Sequence, residues 1–254
     1  MNADRIMALS RAGVAVEVVA ETGSTNADLL ARAPRLTAPV LLVAEHQTAG
    51  RGRAGRSWLS EPGHSLTFSL AWRFAGGLRG LAGLPLAIGV ALAETLGQLG
   101  QSVQLKWPND VLKDGDKLAG ILVETQVAAD GAAWTIVGIG VNLVMPDALE
   151  DRIGRSAAAM PWLARMDRDE LMATLLDGLA EALALFAHAG FAAFVARWNT
   201  LHAWQGRPVV LLDRGEVRHE GLAAGVDDTG RLLLDTAAGR VTIVAGDVSL
   251  RTKD

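Results

Sequence analysis

The chain has 254 residues, half of them apolar and a fifth charged, with a formal net charge of −4 and no cysteine. That length admits one large domain, or a main domain with a small appendage, and supplies ample material for a buried core. The acidic balance argues against a general nucleic-acid binder, and the missing cysteines exclude disulfides and thiolate zinc sites.

The first twenty residues, "MNADRIMALSRAGVAVEVVA", carry Asp4 and Arg5 early and no long apolar core, a poor pattern for a signal peptide. The stretch "GSTNADLLARA" predicts a helix start, with Ser24 or Thr25 as N-cap and Thr25 and Asp28 at capping-box spacing. "PVLLVAEHQ" predicts a buried strand that empties into a loop, "TAGRGRAGRSW". "HSLTFSLAW" alternates Leu66, Phe68, Leu70 and Trp72 with small or polar residues, the period of a half-buried strand. Residues 81–99 predict a largely buried helix, with Pro85 tolerable in its first turn. The nearly apolar run from Leu81 to Ala93 ends at Glu94, short of the roughly 18 residues that span a bilayer. A soluble, cytoplasmic protein with no membrane partner is therefore expected.

Three more strands are predicted at "VQLKW", "KLAGILVET" and "WTIVGIGVNL", joined by turns at "KDGDK" and "AADGAA". Asp167 and Glu170 can box the start of a long helix over 168–188, closed by Gly190. From residue 207 the texture changes to four or five short β-runs punctuated by "DRGE", "DDTG" and "AAGR". That spacing predicts a small β-barrel after an α/β domain, with the boundary between 1–205 and 206–254.

Several segments carry groups suited to chemistry. The loop from 44 to 58 holds three arginines and three glycines in an otherwise acidic chain. Glycine lets main-chain N–H groups approach a ligand, and arginine gives forked bonds to phosphate or carboxylate. A solvated turn is the plain alternative. The loop lacks the Lys-Ser/Thr ending of a Walker A motif, and no helical segment follows its GxGxxG match at Gly50, Gly52 and Gly55. "KWPND" puts Asn109 and Asp110 at a polar strand tip, either a ligand site or an Asx-type turn. Lys117 enters an apolar strand, snorkelling to water or aimed at a ligand. Asn142 ends another strand, as a turn residue or a ligand contact, and Gly138 and Gly140 permit close approach of a flat group. The five histidines show no metal-ligand spacing and no serine-hydrolase arrangement is evident.

In this order "ETGSTNADLL", "AEHQTAGRGRAGRSW", "KWPNDVL", "KLAGILVE" and "GIGVNL" resemble the biotin protein ligases over roughly residues 20–145. The tail resembles that family's SH3-like C-terminal domain. The resemblance implies an α/β catalytic domain of the class II aminoacyl-tRNA synthetase type, with a mixed sheet flanked by helices. It also implies a two-step reaction: biotin and ATP form biotinyl-5′-AMP and pyrophosphate, with Mg²⁺ on the phosphates. A lysine of a biotin carboxyl carrier protein then takes the biotinyl group. By the same resemblance Arg51, Gly52 and Arg53 bind the acyl-phosphate region, and Arg56 assists with phosphate. Ser24, Thr25, Asn26 and Gln47 hold the uncharged ureido ring, Lys117 neutralises the carboxylate or acyl-phosphate, and Gly120 belongs to the biotin-binding set. Asn109 belongs to the ATP set, Trp58 and Asn142 meet the adenine, and Asp110 orients groups at the reacting centre.

The glycine-rich loop, residues 50–57, is expected to order over the adenylate when ligand binds. Some relatives carry an N-terminal DNA-binding domain and act as repressors; about twenty residues precede the match here, so a repressor role is not expected. Family members occur as monomers and homodimers, and either is compatible. The competing readings are a lipoate or octanoate ligase of the same fold, a nucleic-acid arm at "GRGRAGR", and a catalytically silent biotin sensor.

Overall fold

The computed structural model describes residues 1–254 apart from Arg155, Arg214, Asp247, Asp254 and the side chain of Arg79. Chain order is α1 (Ala3–Leu9), β1 (Ala15–Thr22), α2 (Thr25–Arg32), β2 (Val40–Gln47), β3 (Ser65–Phe74) and α3 (Leu84–Gln98). Then come β4 (Gln104–Lys106), β5 (Asp110–Lys113), β6 (Asp116–Val127), β7 (Ala133–Asn142), α4 (Asp147–Ile153), α5 (Arg168–Ala189) and α6 (Val195–Leu201). Strands β8 (Pro208–Asp213), β9 (Glu216–Val226), β10 (Leu232–Thr236), β11 (Gly239–Ile243) and β12 (Val248–Thr252) complete the chain.

The first seven strands form one sheet in the order β1-β2-β3-β7-β6-β5-β4. The β1–β2 pair is parallel and the other pairs are antiparallel, so the sheet is mixed. One face is covered by α3 and α5, which pack on each other, with α1 against α5. Leu66, Phe68 and Leu70 of β3 point into this large core with Leu41, Val43, Ile139 and Val141. The opposite face is covered by α2, whose Leu29 packs with Leu42, Ala71 and Ile136. The alternation in β3 is therefore real, but the strand is not half-buried: Thr67 and Ser69 are 1% and 0% exposed, Ser69 against Thr25 and Asn26 of α2. Periodicity reports which residues share a face, whereas burial of the polar face depends on a helix packing there.

Local rules hold at several boundaries. Pro85 lies in the first turn of α3. Asp167 caps α5 by accepting from the Asp169 and Glu170 amides, and Gly190 closes that helix with φ of 64°. Ser24 is the N-cap of α2, whereas Asp28 accepts from the Thr22 hydroxyl instead of completing a box with Thr25. Between "VQLKW" and "KLAGILVET" the structure inserts β5, so "KDGDK" is the turn between β5 and β6. Neither α1 nor β1 was expected. In β1, Glu17 and Glu21 occupy the edge of the sheet and break an apolar run into an irregular pattern. One described helix, α5, is long and apolar enough to cross a membrane by length and composition, but half of its most apolar stretch is buried in the protein.

The last five strands form an antiparallel sheet in the order β11-β10-β9-β8-β12, an SH3-like unit. Of the turn expected at 213–216, Arg214 lies outside the described residues. The unit is joined to the main sheet by the buried Trp107 indole, which donates to the Gly230 carbonyl (3.1 Å). Asn199 adds a paired contact with Val226, accepting from its amide (2.8 Å) and donating to its carbonyl (3.3 Å).

Candidate active site

Parallel pairing of β1 and β2 sets Thr22 opposite Gln47, so both strands end on the same side. The N-terminus of α2, which follows β1 directly, is thereby placed beside the end of β2. Thr25 uses this proximity: its main-chain N–H donates to Gln47 Oε1 (2.8 Å). That bond fixes the orientation of the Gln47 amide, which leaves its NH₂ group toward Gly50 and the loop.

A cleft opens here along the α2 side of the sheet. It is lined by Ser24, Thr25, Asn26, Gln47, Arg51, Gly52, Arg53, Arg56, Trp58, Asn109, Asp110, Lys117 and Gly120. These are all the residues expected from the sequence except Asn142. The Asn142 amide donates to the Lys117 (3.3 Å) and Ala158 (3.0 Å) carbonyls and ties the end of β7 to the following segment. Asn142 thus supports the wall that carries Lys117 and does not line the cleft. The described lining holds four cationic side chains, Arg51, Arg53, Arg56 and Lys117, and one carboxylate, Asp110. Charges of one sign, converging where walls exclude part of the water, attract an anion far more than the same charges on open surface.

Each cation is held. Lys117 donates to Asp110 Oδ1 (2.5 Å), with both side chains largely buried. Lys106 stands 3.9 Å from the other oxygen of Asp110. Arg53 donates to Asn109 Oδ1 (3.2 Å) and to the Gly246 carbonyl of the C-terminal unit (2.5 Å). Arg51 donates to Glu124 Oε2 (3.1 Å). Arg56 turns back on its own loop, donating to the Arg53 carbonyl (3.2 Å). The loop is further closed by Trp58 N–H to the Gly50 carbonyl and Gly52 N–H to the Arg56 carbonyl. Ala54 takes a left-handed conformation within it (φ 54°), which non-glycine residues rarely adopt.

Two glycines admit groups onto the sheet. A methyl at Gly138 would stand 2.7 Å from Asn26 Cγ, and one at Gly140 would stand 2.7 Å from Trp58 Nε1. The Asn26 amide and the Trp58 indole therefore lie on bare backbone. The indole Nε1–H is buried with no partner, a donor in position for an incoming acceptor. The Asn26 amide, in contrast, is engaged throughout. Its Oδ1 accepts from the Ser69 hydroxyl (2.6 Å), and its NH₂ donates to the Leu122 carbonyl (3.3 Å) and to Glu124 (2.9 Å). Ser69 in turn meets the Thr25 hydroxyl at 2.7 Å. Ser69 and Glu124 were not singled out from the sequence: a serine in an alternating strand and a glutamate near a strand end carry no local signal.

Residues 16–142 match the Biotin/lipoate A/B protein ligase family and residues 206–251 match the Biotin protein ligase C terminal domain. The chain is 36% identical over 261 residues to the bifunctional ligase/repressor BirA of Escherichia coli, covering all of this chain and 79% of that protein.

The chain belongs to the biotin/lipoate A/B protein ligase family.

Within that family it is also 36% identical over 241 residues to the biotin–[acetyl-CoA-carboxylase] ligase of Paracoccus denitrificans, covering 91% of this chain and 98% of the relative. The ligase fold superimposes on the biotin protein ligase of Aquifex aeolicus, solved in complex with biotin and ATP. The TM-score is 0.79 at 31% identity, over 94% of this chain and 99% of that one. No group of three or more metal-ligating side chains occurs among the described residues. With Asp110 committed to Lys117, the lining is suited to a metal that arrives on a polyphosphate rather than to a resident ion.

Proposed function

We infer that this chain is a biotin protein ligase: it activates biotin with MgATP to biotinyl-5′-AMP, releasing pyrophosphate, and transfers the biotinyl group to a carrier lysine. The observation that carries this reading is one cleft lined by both a neutral polar set and a cationic set. Thr25 and Gln47 contribute hydroxyl and amide groups, and Arg51, Arg53 and Lys117 contribute the charges. A ureido ring offers N–H and C=O groups and no charge, which suits the first set. A carboxylate and a triphosphate repel each other, which requires the second.

In the first step the biotin carboxylate attacks the α-phosphorus of ATP, so the protein supplies no nucleophile. Arg51 and Arg53 place N–H donors on the oxygens that gain charge, and Lys117 adds an ammonium held at a fixed place by Asp110. The Gly52 N–H is held by the Arg56 carbonyl, and Arg56 swings from its own loop to phosphate. Trp58 offers a ring face to the adenine and Asn109 steadies Arg53. Gly120 keeps the floor low beside Lys117, where a methyl would stand 3.0 Å from Nζ. Ser24 caps the helix that carries Thr25 and Asn26. In the second step the carrier lysine, as its neutral amine, attacks the acyl carbon, AMP leaves, the surplus amine proton is lost to water, and Asp110 orients groups at the reacting centre.

The acceptor is a biotin carboxyl carrier protein domain. The ligase works in the cytoplasm as a monomer or homodimer with no nucleic-acid or membrane partner. Its catalytic domain spans 1–205 and its SH3-like domain 206–254. The match of the tail to a biotin ligase C-terminal domain favours biotin over lipoate or octanoate. Incubation with biotin, ATP, Mg²⁺ and a carrier domain, followed by intact-mass analysis, tests the reading. The expected result is one biotinyl adduct on the carrier and pyrophosphate exchange driven by biotin but not by lipoate. Adenylate without transfer would remove the second step, and no adenylate would remove the whole.

A further inference from the structure

Glu124 presents a paradox for an anion-binding site. Its carboxylate sits on β6, on the same face as Gly120 and Leu122, which line the cleft. A negative charge there opposes the binding of a carboxylate and a triphosphate by Coulomb repulsion. Its partners explain its presence. A single oxygen, Oε2, accepts from Arg51 Nη2 (3.1 Å) and from Asn26 Nδ2 (2.9 Å). Arg51 belongs to the cationic, glycine-rich loop, and Asn26 to the neutral polar set in the first turn of α2.

The contact reaches further among the neutral groups. Thr25 and Ser69 have two hydroxyl protons for three oxygen contacts: Thr25 to Gln47 Oε1, Thr25 to Ser69, and Ser69 to Asn26 Oδ1. Gln47 Oε1 already receives the Thr25 main-chain N–H, so the arrangement that satisfies most groups runs from Thr25 to Ser69 to Asn26. The Asn26 NH₂ then has to find acceptors, and Glu124 with the Leu122 carbonyl supplies them. A glutamate at 124 completes this chain and at the same time offers a charge to the loop arginine.

We propose that Glu124 is a positioning residue for the ligation reaction: it ties Arg51 of the glycine-rich loop to Asn26 of α2, so that loop and helix are held in one arrangement before substrate enters. This rests on the reading of the cleft as a biotin and ATP site. The guanidinium has five N–H donors and spends one on Glu124, leaving the others for ligand. Holding Arg51 lowers the ordering cost that substrate would otherwise meet when it recruits a glycine-rich segment. The residue touches no substrate in this assignment and acts through Arg51 and Asn26.

Trypsin tests this directly, because it cuts after arginine and the loop offers Arg51, Arg53 and Arg56. In the ligand-free ligase, Glu124→Ala is expected to speed cutting at Arg51 by about three- to tenfold. That is the population shift for losing one charge-assisted bond to a half-exposed guanidinium. Glu124→Gln, which keeps an acceptor and drops the charge, is expected to lie between. Cutting after Arg218 in the C-terminal unit is the internal control and stays at the wild-type rate, which separates loop release from general unfolding. Biotin affinity by calorimetry is expected to fall about tenfold in Glu124→Ala, with partial recovery in Glu124→Gln. Unchanged cutting at Arg51 in Glu124→Ala, or unchanged biotin affinity with faster cutting, would overturn the proposal. If the wild-type ligase bound no biotin, the functional reading would fall, and the trypsin comparison would still decide whether Glu124 holds Arg51.

Discussion

Replacing Gly138 by alanine is a stringent test of how the neutral polar set of the cleft is built. The added methyl would stand 2.7 Å from Asn26 Cγ and 3.0 Å from Nδ2. Ordinary carbon contacts lie at about 3.5–4.0 Å, so the amide must retreat by about 1 Å. Asn26 is 3% exposed, and its side chain holds bonds to Ser69, Leu122 and Glu124. A retreat of that size breaks or badly stretches all three. At roughly 1 kcal/mol per bond the ligase loses about 3 kcal/mol of stability. With an m-value of roughly 2–3 kcal/mol/M for a chain of this size, the urea midpoint falls by about 1 M. Biotin affinity falls in the same variant, because Thr25 and Gln47 are tied to Asn26 through Ser69. Urea unfolding followed by circular dichroism, with biotin titration by calorimetry, reads both effects. Asn26→Ala removes the obstructing amide, so the double variant should be no less stable than Asn26→Ala alone. A Gly138→Ala protein that unfolds at the wild-type urea concentration, or a double variant in which the two costs simply add, would refute this account.

Other consequences are open to measurement. Lys117→Gln should slow biotin-dependent pyrophosphate exchange by about a hundredfold, the scale of removing one preorganised donor from a charge-building transition state; a change under threefold would take Lys117 out of the first step. Trp107→Phe removes the indole N–H that meets the buried Gly230 carbonyl, and should cost about 1–3 kcal/mol while exposing the C-terminal unit to protease first. Burial raises the pKa of Asp177, but hydrogen bonds from Ser10, the Arg11 amide and the Arg11 side chain outweigh it and leave the carboxyl below its ordinary value. An acid with a depressed folded pKa contributes stability above its unfolded pKa of about 3.9 and loses it as pH falls through the folded value. The melting-temperature gap between wild type and Asp177→Asn should accordingly narrow as the buffer is taken below roughly pH 4, and a constant gap would contradict the assignment. Biotin with MgATP should slow trypsin cutting within residues 50–57; equal rates with and without them would count against loop closure.

Short-range physics made much of this ligase readable before any fold was known. The Asp167 cap, the Pro85 first turn, the Gly190 stop and the alternating faces of β3 each depend on a few neighbouring residues. The ordered segments from "GSTN" to "GIGVNL" contain nearly every residue that lines the cleft, but their resemblance to a known family, rather than residue type alone, set them apart from solvated turns. What remained hidden is set by contacts between distant parts of the chain. Ser69 is buried because Thr25 and Asn26 of α2 lie across it, which no alternation in β3 reveals. Asn142 turns from the cleft because the Ala158 carbonyl, sixteen residues later, takes its amide. Glu124 is indistinguishable from a solvated strand residue until Asn26 and Arg51, 98 and 73 residues before it, converge on one of its oxygens. Hydrogen-bond and ion-pair energies fall off within a few ångströms, so only the folded backbone decides which polar groups meet.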